Sequence, residues 1–254
     1  MPRLNRYFTT GQYWHVTHRC HDRKWLLRFE KDRTAYCKKL REHLSEFDVD
    51  LLGYCLMSNH VHLLFQHRGE NDLSNLMKRV AGEFAQDYNL RKSRSGAFWG
   101  DRFHATAVQS GSHLWRCLLY IDLNPVRANL VAHPSDWRWC GFHELMGIRK
   151  RYRFIDMEEV LLAFHQKDLD LFRGHYAESI AQEILKGNLQ REACWTESLA
   201  IGGKDFIEQV AARHYIHKGP VPLSTGSRTP YRRHAEWRPL PPHLPRVSAQ
   251  TAHR

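Results

Sequence analysis

The most constraining feature of this 254-residue chain is a pair of strand-like runs with almost nothing between them. Leu51-Leu-Gly-Tyr-Cys-Leu-Met and His60-Val-His-Leu-Leu-Phe are short and apolar, and Ser58-Asn59 is the whole connection. A link this tight forces an antiparallel hairpin, because a parallel return needs a crossover of a dozen or more residues. Upstream, Tyr13-Trp-His-Val-Thr-His reads as another strand. Residues 31–47 read as an amphipathic helix, with Tyr36, Leu40, Leu44 and Phe47 along one side. Downstream, a second helix is predicted over 72–90 with Asn71 or Asp72 as N-cap, then a strand near His104–Gln109 and a helix from about Ser112. The order strand–helix–strand–strand–helix–strand predicts an α+β fold: a ferredoxin-like split βαβ sheet with helices on one face. Its other face would then be free for nucleic acid.

Charge divides the chain further. The net charge is +11, of which residues 217–254 carry +6 and residues 151–215 carry −3, leaving +8 on the first 150. Clustered Lys and Arg gain affinity for a polyanion by displacing phosphate counterions, so a nucleic-acid partner is expected. The last segment also holds seven of the ten prolines, which interrupt helices and strands alike. The expected organisation is a folded, basic domain over 1–150, an acidic helical extension over 151–216 and a basic, Pro-rich, disordered tail over 217–254. Six scattered cysteines without a Cys-x-x-Cys pair suit neither a zinc ribbon nor a disulfide framework. No apolar run reaches the roughly 20 residues of a membrane helix, and the start lacks a secretory pattern. A cytoplasmic protein is expected.

Two groups of residues carry chemistry. His60 and His62 sit two apart on a strand, so both imidazoles share one face, a spacing that can chelate one divalent metal. Tyr120 and Asn124 lie four apart on a predicted helix, with Arg116 and Arg127 near the same side and Leu114, Leu118 and Ile121 as a core stripe. Asn124 has a second reading, since Asn-Pro commonly begins a following helix.

Beyond these patterns, five segments resemble a known family, in the same order along the chain. Met57-Ser-Asn-His-Val-His-Leu-Leu-Phe resembles the HUH strand of the single-tyrosine, IS200-like transposases, in particular their REP-associated branch. Tyr120-Ile-Asp-Leu-Asn-Pro-Val-Arg-Ala-Asn-Leu-Val is similar to that branch's tyrosine helix, and Tyr13-Trp-His-Val-Thr-His-Arg to its first strand. Phe98-Trp-Gly-Asp-Arg-Phe-His and Asp136-Trp-Arg-Trp-Cys-Gly-Phe resemble two later segments. The chain departs at Ser58 for Pro, Gly100 for Gln, Asn129 for Gly and Cys140-Gly141 for Ser-Ser, none of which removes a catalytic side chain.

The resemblance implies metal-dependent cleavage and strand transfer of single-stranded, hairpin-bearing DNA. Tyr120 is then the nucleophile, forming a 5′-phosphotyrosine, and His60, His62 and Asn124 hold Mg²⁺ or Mn²⁺. Arg102, Arg116 and Arg127 would contact DNA together with Trp99, Phe103 and, in the tail, Arg232 and Arg233, the aromatics stacking on unpaired bases alongside Phe98. The protein would act as a monomer or homodimer. A domesticated hairpin-binding protein without transposition activity is the alternative. A histidine-triad hydrolase would need a third alternating histidine where Leu64 stands. A two-histidine phosphoesterase would need a second His-x-Thr besides His15-Val-Thr17.

Overall fold

Alternation along the strands decides which side chains meet in this protein, whose computed structural model describes residues 8–218 apart from 70 and 188. Apart from residues 217 and 218, which are helical, the predicted tail, with Arg232 and Arg233, lies outside the described residues. Strands β1 (Tyr13–Arg19), β2 (Val49–Leu56), β3 (His60–His67), β4 (His104–Val108) and β5 (Ala200–Ile201) form one sheet in the order β2-β3-β1-β4-β5. The first four strands, with helices α1 (Glu30–Leu44) and α2 (Asp72–Arg91), make the split βαβ arrangement. All their pairings are antiparallel. The fifth strand was not anticipated: the extension returns to the sheet and adds β5 parallel to β4.

Residues paired across β1 and β3 share a face. Trp14, Val16 and His18 pair with Phe65, Leu63 and Val61, while His15, Thr17 and Arg19 pair with Leu64, His62 and His60. The first set packs under α1 and α2. Trp99 marks that side: it stacks on His18 at 4.0 Å, lies 5.9 Å from Tyr36 of α1 and donates its indole N–H to the Ala81 carbonyl of α2. Asn71 is the N-cap of α2 by position, but at φ 60° its side chain caps nothing.

The histidine face is not bare, which corrects the expectation of an open nucleic-acid platform. Helix α3 (Ser112–Asp122) packs on it, and Leu114, Leu118 and Ile121 are fully buried as the predicted core stripe. Each fully buried aliphatic side chain of this kind contributes about 1.5–3 kcal/mol relative to exposure. The approach is so close that a Cβ at Gly53 of β2 would come 2.5 Å from the Leu118 Cδ1 atom, so a larger residue there would displace the Leu118 side chain.

After α3 the chain forms two short helices, α4 (Asn124–Arg127) and α5 (Phe142–Leu145), and then α6 (Met157–Ala163) and α7 (Leu169–Leu185). Phe172, Tyr176 and Ile180 of α7, spaced by four, are fully buried. Trp115 of α3 meets Phe172 and Tyr176 at 5.6 Å each. The Tyr176 hydroxyl donates to Asp122 at 2.7 Å. The tyrosine-bearing helix is therefore held between the sheet and the extension. Helices α8 (Cys194–Glu197) and α9 (Lys204–Lys218) flank β5. Among the described residues no helix is long and apolar enough to cross a membrane.

Candidate active site

The sheet register and α3 bring three histidines and one tyrosine together. His60 and His62 follow each other on β3 with ring centroids 4.8 Å apart. His15, one rung away on β1, stacks on His62 at 5.1 Å. The Tyr120 ring stands edge-on to both, 6.0 Å from His62 and 6.1 Å from His15. Helical spacing explains its placement: Leu114, Leu118 and Ile121 bury one side of α3, and Tyr120 projects beside it.

Hydrogen bonds occupy one nitrogen of His60, one of His62 and both of His15. His60 Nδ1 lies 2.6 Å from Asn59 Oδ1, and the Asn59 amide nitrogen in turn donates to the Arg23 carbonyl. His62 Nδ1 lies 2.9 Å from His15 Nε2, and His15 Nδ1 lies 2.9 Å from the Trp195 carbonyl oxygen. Burial disfavours the charged imidazole. It lowers His15 and His60 to about 3 and His62 well below its usual value, with positive neighbours such as Arg19 adding to the effect at His60. All three rings are uncharged at neutral pH.

Tyr120 is enclosed, with 4% of its surface exposed. The Trp195 ring from α8 lies 5.6 Å away, tilted by 31°. On another side the Arg127 guanidinium sits 4.2 Å from the ring centre, and its Nη1 donates to the Tyr120 carbonyl at 3.1 Å. Burial raises the phenol's pKa, and the charges of Arg127 and Arg191 work against that rise.

A cleft of about 570 Å³ opens beside His60 and is lined by Arg19, Arg23, Arg102 and Arg191. Thr17 and His104 also line it, as do the carboxylates of Asp22, Asp101 and Glu197. Arg191 pairs with Glu197 at 2.6 Å. The arginines outnumber the acids, so the cleft suits a phosphodiester strand.

The other residues singled out in the sequence fare differently. Asn124 donates its amide hydrogens to the Tyr120 and Ile121 carbonyls, closing the C-terminal end of α3. That leaves only its Oδ1 to ligate anything. Arg116 faces the extension and pairs with Glu192 at 3.3 Å. Phe103 is 8% exposed and Phe98 2%, so both belong to the core rather than to a surface on which bases stack. Phe98 packs against Phe84 and Tyr88, and Phe103 against Phe8 and His18. Trp99 is half-buried and committed to His18 and α2.

Sequence reasoning passed over His15, Trp195, Arg19, Arg23 and Arg191. For His15 the alternation of β1 was a usable signal, since it shares a face with Thr17. The contact with Trp195 spans 180 residues, and no local pattern announces it.

Comparison with known proteins places these residues in context. The family model of IS200-like transposases matches residues 8–123. A solved REP-associated tyrosine transposase bound to a REP hairpin shares the fold: TM-score 0.50, 20% identity, 58% of this chain and 86% of that one. A protein of Deinococcus radiodurans R1 taken to be a transposase aligns over 51% of this chain and 98% of its own, with 13% identity and a TM-score of 0.34. The last likeness is too distant to bear on the fold. No protein with a curated description matches the chain. The matched region, residues 8–123, holds β1 to β4 and all of α3, so the chain is similar to the IS200-like transposases over the part that carries the histidines and the tyrosine.

Proposed function

We propose that this protein cleaves single-stranded DNA and rejoins it through a tyrosine-linked intermediate, with hairpin-bearing DNA as substrate. The observation that carries the reading is the meeting of His60, His62 and Tyr120 at ring distances of 4.8 and 6.0 Å, beside an arginine-lined cleft. The family match supports a DNA-processing role, and the hairpin follows by analogy with the REP-bound relative.

In this reading the Tyr120 phenolic oxygen attacks a phosphorus, a bond to the 5′-side phosphate forms, and the P–O3′ bond breaks. The 3′ oxygen leaves and takes up a proton. The phosphotyrosine conserves the diester bond, so another 3′-hydroxyl can reverse the step onto a new strand. Arg127 beside the phenol favours its ionised form, and the cleft arginines hold the flanking backbone.

Among the described residues no group of three or more His, Cys, Asp or Glu is arranged to hold a metal ion. The expected set, two histidines and an amide oxygen, still fits a divalent cation. His60 and His62 are uncharged, and each has Nδ1 engaged by a neighbour, which leaves Nε2 as the ligating atom. With its hydrogens given to α3, Asn124 can offer only oxygen, as Mg²⁺ or Mn²⁺ prefers. When bound, the ion would polarise the scissile phosphate and neutralise charge developing on it.

The test is cleavage of a labelled hairpin-bearing single strand with Mn²⁺ or Mg²⁺, with EDTA, and with His60→Ala or His62→Ala. Metal-dependent cleavage lost in both variants is the expected result. Undiminished cleavage in excess EDTA would refute the metal requirement, and binding without any cleavage would favour a domesticated hairpin-binding protein.

A further inference from the structure

We infer that His15 is a positioning residue: through the Trp195 carbonyl it fixes the tautomer of His62, so that His62 presents a bare Nε2. The inference rests on the reading of His62 as a metal ligand, and deepens it. The juxtaposition is a chain of Trp195 O, His15 Nδ1, His15 Nε2 and His62 Nδ1, joined by two hydrogen bonds of 2.9 Å each on either side of the His15 ring.

The direction of the protons follows from donor and acceptor chemistry. A backbone carbonyl only accepts, so His15 Nδ1 carries a hydrogen. His15 is fully buried, and its ring neighbours are His62, Tyr120 and Trp195 rather than a carboxylate. A second proton on the ring would place an unpaired charge in the interior, which is costly. His15 Nε2 therefore accepts, and the hydrogen in the contact with His62 belongs to His62 Nδ1. An uncharged His62 then has its lone pair on Nε2.

The same logic holds for His60 by a different partner. The Asn59 amide nitrogen faces the Arg23 carbonyl, so its oxygen faces His60 and accepts from Nδ1. His60 is set by its sequence neighbour. His62 is set from 47 residues away, and the far end of its chain lies 180 residues beyond His15, in the extension. Residues outside the 8–123 family region thus help to hold the metal-ligand pair. Such outer contacts orient the ring and raise its basicity, and losing one weakens metal affinity by about 10- to 100-fold.

The experiment uses the full chain labelled with ¹⁵N-histidine, with no metal and no DNA, and reads the tautomer of His62 from its ring nitrogen shifts. Manganese affinity is then measured by calorimetry on wild type, His15→Leu and His15→Gln. Wild-type His62 should carry its proton on Nδ1. His15→Leu should lose that preference and bind Mn²⁺ about 10- to 100-fold more weakly. His15→Gln keeps an acceptor oxygen where Nε2 stood, and should retain both the tautomer and most of the affinity. Circular dichroism melts confirm that each variant is folded; if the Leu variant is not, the wild-type tautomer and the Gln variant decide alone. A wild-type proton on Nε2, or a folded His15→Leu with unchanged tautomer and affinity, overturns the inference. Because the tautomer is read without metal or DNA, an Nδ1 proton in a protein that never cuts DNA would uphold the positioning while the proposed function fell.

Discussion

Arg127 holds its guanidinium 4.2 Å from the centre of the Tyr120 ring while donating to the carbonyl of that same residue. The double attachment keeps a positive charge beside the phenol. Burial raises the phenol's pKa, and Arg127 is the largest influence in the opposite direction. Removing the charge must therefore raise the pKa further. If Tyr120 attacks as phenolate, Arg127→Gln should move the rising limb of the adduct-formation profile to higher pH. Below that limb the rate should fall about tenfold for each unit moved. An unshifted profile would separate Arg127 from the nucleophile.

Trp195 covers Tyr120 from the extension and is 1% exposed. Trp195→Ala should destabilise the protein by about 3–5 kcal/mol, as for other large buried aromatics, and lower the melting temperature accordingly. It should also open the tyrosine to solvent. Nitration by tetranitromethane, followed by peptide mapping, should proceed faster at Tyr120 in the variant. Equal rates would mean that Trp195 is not the cover.

Asp122 is fully buried and accepts a hydrogen bond from Tyr176. Burial raises its carboxyl from 3.8 to about 7, with the Tyr176 bond acting against the rise. The folded state therefore holds this proton to higher pH than the unfolded chain does. Between about pH 4 and 7 the folded state binds more protons, so stability falls as pH rises through that window. At about 1.4 kcal/mol per unit the loss amounts to a few kcal/mol. Asp122→Asn, uncharged and of similar shape, should match wild type near pH 4 and exceed it at pH 8 in denaturant melts. A constant difference across that range would contradict the assignment.

Arg102 is exposed and lines the cleft beside His60. Arg102→Ala should weaken single-stranded DNA binding and flatten the log–log salt dependence by about 0.7 for one lost phosphate contact. Deleting residues 217–254, with Arg232 and Arg233, should flatten it further if that tail touches DNA. Affinity against salt for the three proteins measures both effects, and identical slopes would remove these arginines from the interface.

Much of this site was legible before any coordinates. The tight Ser58-Asn59 connection dictated the hairpin, and alternation put His60 and His62 on one face. The spacing of Leu114, Leu118 and Ile121 gave the buried side of α3. What could not be read is register and return. Pairing of Thr17 with His62 brings His15 within reach, but a sequence does not print which residues sit opposite. Trp195 arrives from the far end of the described chain through a two-residue strand, too short to carry a pattern. The aromatic segment 98–103 was misjudged for a related reason. Apolar rings beside arginines look alike whether they stack on bases or fill a core, and burial alone separates the cases.

The central claim is that Tyr120 becomes covalently joined to DNA. Full-length protein incubated with hairpin-bearing single-stranded DNA and Mn²⁺, resolved on a denaturing gel and digested for mass spectrometry, tests it most directly. The account predicts a metal-dependent adduct whose phosphate maps to Tyr120 and which disappears in Tyr120→Phe while DNA binding persists. An adduct mapped to another residue, or one that survives Tyr120→Phe, would contradict it.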